Sequence, residues 1–434
     1  MNKKLLPLLA SLVGMSPAFG EDLAQVYALA KENDAQLRAA RATRDSALEA
    51  KPQAKALLLP TVSLTGNASR VHRDVQSSPS GASTSTYSTS QLKLNLSQPI
   101  YHRDYWIQLE QADIQVAQAE ASYAVEEQGL IVRVAEAYFG VLSAQESLEF
   151  AQSENAAIAR QLDQAKQRFE VGLIAITAVH EAQAAFDQSR ADLINAENTL
   201  DNAWEALREI TGTPMSELTP VIEELPLNPP QPQNIDQWGE TAQQQNLGIQ
   251  SARYSTEIAR QNIQVQNSGH YPSLDLVGSH SLDRSSSSAG TDADTTSLGV
   301  QLTVPLYSGG SVTSKTRQAT YDLEAAQENL DKQRRSVNRQ VRDAYRGVLA
   351  GISTVEALKA STVSAQSALE ATEAGFEVGT RTMVDVLNAQ RDLFRARSNY
   401  AAVRYNYILS GLQLKQAAGT LAEQDLADVN SWLK

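Results

Sequence analysis

The chain contains no cysteine, which excludes disulfides, thiolate metal sites and a lipid carried on an N-terminal cysteine. Beyond its first residues it has no apolar run approaching the ~18 residues of a membrane helix, so any crossing of a bilayer must be made by β-strands. Positive charge is in deficit: 37 Lys and Arg stand against 50 Asp and Glu, a net charge of −13. That balance argues against nucleic acid, whose phosphates need basic residues to neutralise them. No Walker A pattern is present, and no dinucleotide fingerprint follows a strand. His72, His102, His180, His270 and His280 show no HxxxH or HExxH spacing and read as ordinary surface or interface residues. No catalytic, cofactor-binding or metal-ligating set is expected.

The N-terminus reads as an export signal. Lys3 and Lys4 form its charged region, residues 5–13 its apolar run, and Ala18-Phe19-Gly20 its small-residue cleavage site. The apolar run is too short to span a bilayer. Loss of its two lysines takes the charge from −13 to −15.

The second half of the chain repeats the first. Leu59-Pro60 is matched by Tyr271-Pro272, Ala137-Tyr138 by Ala344-Tyr345, Phe169-Glu170-Val171-Gly172 by Phe376-Glu377-Val378-Gly379, and Gly212-Thr213 by Gly419-Thr420. The offset is 271 − 59 = 212 early and 376 − 169 = 207 later, so a few loop residues differ while the elements are kept. Such a period is too long for a solenoid unit.

Within one repeat the hydrophobic period changes three times. Leu23, Val26 and Ala30 have helical spacing. An Ala-rich helix over 34–58 follows, with a kink expected at Pro52 and a stop at Pro60. The period then becomes two. Val62, Leu64, Gly66 and Ala68 alternate with Thr61, Ser63, Thr65 and Asn67; after a Ser/Thr/Gly-rich loop over about 74–88, Leu92, Leu94 and Leu96 alternate with Lys93, Asn95 and Ser97 as far as Pro99. In the second repeat Leu274 and Leu276 open one strand. Leu298, Val300, Leu302 and Val304 alternate with Gly299, Gln301 and Thr303 before Pro305. Strands of ~10 residues, apolar on one face and polar on the other, have the length and pattern of tilted membrane strands. A half-buried soluble hairpin has the same alternation; Tyr101, Tyr105, Trp106 and Tyr307 beside the strand ends favour a membrane interface.

The third period is seven. Residues 105–169 hold no proline and two glycines; Val134, Val141, Leu148, Asn155, Leu162 and Phe169 recur every seventh residue, with Ala137, Ala144, Ala151, Ile158 and Ala165 three places later. The second copy carries Val341, Val348, Val355, Thr362, Leu369 and Phe376 with Ala344, Gly351, Leu358 and Ala365. This is a coiled-coil seam, and at 1.5 Å per residue it makes a rod of about 100 Å. Gly172 and Gly379 stand where a helix C-cap wants glycine. Return helices begin near Thr177 and Thr382, keep the heptad through Phe186, Leu193, Leu200 and Leu207 or Leu393, Tyr400, Tyr407 and Leu414, and close at Gly212 and Gly419. The segment 225–232, with four prolines, reads as a stiff spacer between repeats.

Four amphipathic strands cannot close a barrel, and an open edge in lipid leaves amides unpaired. Two chains give eight strands and a filled interior; three give twelve and a lumen. The expected class is a mixed α+β membrane protein: a trimeric twelve-stranded barrel continued by a long antiparallel coiled-coil α-barrel.

This order of elements, present twice, resembles the TolC family of outer-membrane efflux and secretion channels. The most specific stretches are Gly379-Thr380-Arg381-Thr382-Met383-Val384-Asp385-Val386-Leu387-Asn388-Ala389-Gln390 and its weaker copy Val171-Gly172-Leu173-Ile174-Ala175-Ile176-Thr177, with Arg404-Tyr405-Asn406-Tyr407 and Ala418-Gly419-Thr420-Leu421. The resemblance implies a homotrimer in the cell outer membrane that extends into the periplasm as a passive exit duct of a tripartite efflux pump or type I secretion system. It implies outer-membrane lipid around the barrel, a periplasmic adaptor as partner and an inner-membrane transporter (RND, ABC or MFS) as energy source. The chain then divides into a signal peptide (1–20), collar helices (21–59), a barrel hairpin (60–100), a long and a return helix (101–212), linker and collar (213–271), a second hairpin (272–306), a second helix pair (307–419) and a C-terminal collar segment (420–434). A secreted trimeric coiled-coil adhesin or scaffold explains the heptads but not the proline-bounded hairpins.

In such a channel the helix turns at Gly172 and Gly379 lie at the periplasmic tip. Asp385 and Asn388, three apart, share a helix face, and Thr382 is placed to cap that helix. Capping alone is one reading of Asp385. The resemblance implies another: a gate comprising Asp385, Asn388, Arg381, Thr177 and Phe376, with Asp385 forming a three-fold acidic ring. Arg381 resembles the arginine that holds neighbouring tips together, with the turn around Thr177 as its receptor. Asn388 and Ala178 stand where related channels often carry acids.

Overall fold

In a computed structural model, described over residues 20–77, 81–287 and 292–434, the repeats alternate collar helices, a β-hairpin and a pair of long helices. The export signal, apart from Gly20, lies outside the described residues. The collar helix α1 (Leu23–Asn33) begins with a capping box between Asp22 and Gln25 and buries Leu23, Val26, Tyr27 and Ala30. Asp34 ends α1 and caps α2 (Ala35–Leu48). The same corner recurs between α6 (Ile235–Gln245) and α7 (Leu247–Asn267), where Asn246 ends one helix and caps the next. Backbone angles at Asp34 (−60°, 121°) and Asn246 (−63°, 121°) coincide.

The helix over 34–58 is interrupted before Pro52 rather than bent at it. A short α3 (Ala50–Ala56) follows α2 after Glu49, and Pro52 sits in its first turn. Proline lacks the N–H that would reach the carbonyl four residues back, at Leu48, and its ring crowds that carbonyl; the break therefore falls at 48–50.

Strands β1 (Thr61–Val75), β2 (Ser83–Tyr101), β3 (Ser273–Ser285) and β4 (Ala293–Thr303) form one antiparallel sheet in the order β1-β2-β3-β4. The expected loop over 74–88 is shorter: residues 83–88 are strand, paired with 70–75. The register aligns apolar residues across all four strands. Val62 opposes Leu96, Leu64 opposes Leu94, and Leu92 opposes Leu282. Leu276 opposes Val300 and Leu274 opposes Leu302. Side chains alternate between faces, so one face carries this apolar set while Lys93, Asn95, Ser279 and Gln301 occupy the other. Above Ala68 and Leu92 the apolar face gives way to Arg70, Ser88 and Ser90. At about 3.3 Å per residue, the 15 and 19 residues of the first hairpin therefore run past the bilayer into water. Among the described residues neither outer edge of the sheet, on β1 or on β4, has a partner strand within the chain.

Helices α4 (Arg103–Glu170) and α8 (Ser311–Glu377) have 68 and 67 residues, about 100 Å each. They are paired by α5 (Ile176–Thr211) and α9 (Met383–Ala418). Among the described residues no helix is long and apolar enough to cross a membrane. Of the first heptad seam, Val134, Val141, Ile158, Leu162 and Ala165 are buried. Asn155, at a core position, donates to Ser189 Oγ of α5 at 2.9 Å, a polar pair that disfavours a register slip.

The main core lies at mid-length, where Leu130, Val134, Tyr138 and Phe139 of α4 meet α1, Leu207, Val337, Val341, Tyr405 and Leu412. A collar closes over it: Glu21 bridges Leu218, Val221 bridges Leu433, and α10 (Glu423–Asn430) packs Leu426 and Val429 inward. The proline-rich segment is part of this collar and not a free spacer. Leu225 and Leu227 pack against the core, and the Tyr407 hydroxyl accepts from Asn228 N at 2.9 Å. Gly212 and Gly419, both left-handed, end the return helices against the collar corners. A Cβ on Gly419 would stand 2.5 Å from the Gln245 carbonyl oxygen, so only glycine fits.

The two faces of the sheet predict opposite responses to charge. Val300→Arg is expected to cost about 2–4 kcal/mol in folding into lipid, and Gln301→Arg close to nothing. Refolding titrations into liposomes check this; equal costs would contradict the assignment of faces.

Candidate periplasmic gate

The two helix turns are built alike and finished differently. In the first, Gly172 N–H bonds Phe169 O at 2.9 Å and Leu173 N–H bonds Arg168 O at 2.8 Å; in the second, Gly379 N–H bonds Phe376 O at 3.1 Å and Thr380 N–H bonds Gly375 O at 2.8 Å. This pairing is a Schellman motif, and φ of +76° and +78° at the glycines suits a residue without a Cβ. The first return helix then starts from Ala175 with no side-chain cap; Thr177 lies exposed inside it. The second starts from Thr382 with a full capping box. Thr382 Oγ accepts from Asp385 N–H at 3.2 Å, while Asp385 Oδ2 accepts from Thr382 N–H at 2.8 Å and from its hydroxyl at 2.9 Å. These bonds, with the Arg381 guanidinium as a lesser cause, hold the Asp385 carboxyl below its usual range.

Asp385 therefore does cap its helix, and it also stays accessible. Met383, Val386, Leu387 and Gln390 are buried on one side of α9. Met383 and Leu387 enter an apolar plug with Ile158, Leu162 and Ala165 of α4 and Ala182 and Ala185 of α5, against which Phe376 and Ala178 pack. Phe376 also lies under the Arg168 guanidinium at 4.7 Å, joining the tips of the two repeats. Asp385 and Asn388 project from the opposite side, and Asn388 is exposed. Arg381 lies exposed, its stem folded onto Gly375, where a Cβ would meet its Cγ at 2.8 Å. Within the chain the structure does not bring Arg381 to Thr177.

Two features escaped the sequence. Asp392, seven residues after Asp385 and so on the same helix face, continues the acidic stripe. It is exposed and 3.8 Å from Arg395; helical spacing alone was enough to find it. The second is the work of Arg404-Tyr405-Asn406-Tyr407. Arg404 donates to Ile222 O at 2.8 Å, Tyr405 to Glu146 of α4 at 2.5 Å, and Tyr407 holds residues 226–228. Burial, then the Glu146 charge, pushes the Tyr405 phenol up. The motif straps the linker to α9 at the collar. Its partners lie about 180 residues away in the chain, beyond reach of any local pattern.

Together these parts define a class: a sheet that wraps into a membrane barrel, continued by a helical tube. A family model described as outer membrane efflux protein matches residues 26–213 and 238–420, and the chain belongs to that family. It is 46% identical over 440 residues to the outer membrane protein TolC of Vibrio cholerae, covering 100% of this chain and 99% of that one. It is 31% identical to the proteases secretion protein PrtF of Dickeya chrysanthemi, with 99% and 95% covered. The fold matches the outer membrane channel CmeC of Campylobacter jejuni at TM-score 0.80 and 17% identity, covering 100% of this chain and 98% of that one. The protein is an outer-membrane exit duct for efflux or type I secretion that reaches into the periplasm. These likenesses lend no support to a secreted adhesin.

The unequal caps predict unequal sensitivity. Thr382→Ala removes a helix cap and is expected to cost about 1 kcal/mol, seen as faster hydrogen exchange in residues 376–388; Thr177→Ala, which removes no cap, leaves 169–181 unchanged. Because the folded Asp385 value is lowered, its contribution is present above the unfolded carboxylate value near ~3.9 and lost as pH falls through the folded value. Protection at this tip, corrected for intrinsic exchange, should be flat from neutral pH to about 5 and fall below 4.

Proposed function

We propose that three copies of this chain form the duct and that it is closed at the helix tips, with the α9 face of Asp385, Asn388 and Asp392 turned to the lumen. The observation that carries this reading is the split character of α9. Its apolar side locks into a plug with α4 and α5, which leaves the acidic side for the axis. A ring of three Asp385 carboxylates there attracts cations and repels anions, and Asp392 extends the acidic stripe where Asn388 lacks a charge. Arg381 reaches the Thr177 turn of the adjacent copy, a weaker receptor with Ala178 in place of an acid. In this reading hairpins 60–100 and 272–306 form the barrel, and the collar is built from 21–59, 213–271 and 420–434.

The tips end in exposed apolar side chains, among them Leu173 (73%) and Val378 (75%). Such a cluster in water suits a protein partner, and we assign it to a periplasmic adaptor that couples the duct to an inner-membrane transporter of the RND, ABC or MFS type. The V. cholerae and D. chrysanthemi likenesses support a role with efflux or secretion machinery.

Single-channel recording tests the gate. Asp385→Ala is expected to lower cation selectivity and weaken block by multivalent cations. Asn388→Asp should deepen that block, and Arg381→Ala should raise conductance without changing selectivity. Unchanged selectivity in Asp385→Ala, with only the loss of tip stability, would reduce Asp385 to a cap and overturn the gate assignment.

A further inference from the structure

Rows of directly opposed residues cross the sheet at a slant to its apolar band. One row runs Leu64, Leu94, His280, Thr296, and the row below it runs Val62, Leu96, Gly278, Leu298. On β1 the apolar face ends upward at Ala68, beneath Arg70; on β4 it ends at Leu298, beneath Thr296. Leu298 shares its row with Val62 and not with Ala68. From β1 to β4 the upper border of the band therefore drops along the rows by the six residues between Ala68 and Val62. The lower border falls the same way. Val62 opens the apolar face of β1 just after Pro60, whereas on β4 that face runs on through Leu302 to Val304, below the row of Val62.

Three copies close into a ring only if side chains keep their faces, so the offset between one copy's rows and the next copy's is an even number of residues. With strands ~4.8 Å apart and ~3.3 Å per residue, offsets of about four, six and eight residues per chain tilt twelve strands by roughly 35°, 45° and 55°. Membrane barrels tilt by about 35–45°, which removes the third. The descent of the band selects the second, because an offset of six returns its border from Val62 to Ala68. That offset sets Val62, Leu64, Gly66 and Ala68 of one copy against Val304, Leu302, Val300 and Leu298 of the next, apolar run against apolar run. An offset of four would set Ala68 against Thr296 and Val304 against Pro60. An offset of eight would oppose Asp74 and Asp294, like charges across a strand pair.

We propose that neighbouring copies join β4 to β1 in this register, with Leu302 opposite Leu64 on the lipid side and Gln301 opposite Thr65 on the lumen side. The register rests on the three-chain duct proposed above and adds which residues meet at its seam. The seam also completes Arg70, which among the described residues has no ion-pair partner in its own chain. In the joined ring Arg70 stands opposite Thr296 and diagonal to Asp294 of the adjacent copy, within reach of a long side chain. Asp294 pairs with Arg284 of its own chain at 2.8 Å. Two cations from different copies then flank one carboxylate just above the lipid-facing band, so the charge pattern and the apolar runs agree on the same joint.

Disulfide trapping of the full chain in its membrane reads the register. Thr65→Cys combined with Gln301→Cys should join chains into covalent trimers severalfold more completely than Thr65→Cys combined with Gly299→Cys or Thr303→Cys. On the lipid face, Leu64→Cys is combined in turn with Val300→Cys, Leu302→Cys and Val304→Cys, and the Leu302→Cys pair should lead. This second scan gives the reading if a lumen-facing variant fails to assemble. A maximum at 299 and 300, or at 303 and 304, overturns the register and leaves the three-chain ring standing. Interchain disulfides at none of the six pairs overturn the ring, and the register with it.

Discussion

The constraint on which the structure depends is the pair of unpaired strand edges on β1 and β4. In hydrocarbon no water satisfies a strand edge, and a sheet of four strands is too narrow to meet itself. The chain must therefore be one part of a closed ring. The consequences run down the molecule: strands that enter the ring at fixed spacing hand over to helices at the same spacing, so the helical segment is a tube as well. Its length follows from α4 and α8, whose 68 and 67 residues make rods of about 100 Å.

The repeat is what lets a single chain build both ends of this object. Asp34 and Asn246 make the same corner, and Gly212 and Gly419 make the same stop against it. The copies depart from each other at the tips. One tip begins from an uncapped Ala175, the other from Thr382 and Asp385 in a reciprocal cap. The second tip thus has the capped return helix, and the cap lies on the helix that carries Asp385. The collar holds the same helix 20 residues farther on through Arg404 and Tyr407. Between those two fixed points α9 carries Met383 and Leu387 into the other repeat, so the two tips share one apolar cluster.

Much of the fold was legible because its signals are periodic. The change from period two to period seven marks where strand becomes rod, and the alternation of Leu92, Leu94 and Leu96 already separates the faces that the register then aligns. Legibility failed where no period operates. Ser83 to Ser88 form strand without an apolar side because they stand in water on both faces, so composition alone made them a loop. The break at Glu49 lies upstream of the proline that causes it, since the lost bond belongs to the carbonyl four residues earlier. The linker's attachment joins residues about 180 positions apart. Of the candidate gate, spacing put Asp385 and Asn388 on one helix face and glycine at each turn, and the family resemblance alone put them at a tip; which way α9 turns them depended on Met383 and Leu387 finding the α4–α5 pair.

The central claim, closure by copies, can be read directly because the chain has no cysteine of its own. Single cysteines are introduced in pairs, one at each of several β1 positions from 62 to 68 and one at each of several β4 positions from 296 to 302, and oxidised in the membrane. A closed three-chain ring predicts that at the matching register the chains join into a ladder that ends at three, with the full product running as a covalent trimer. A β1–β4 disulfide formed within one chain, or a product that passes through three to longer ladders, would contradict it.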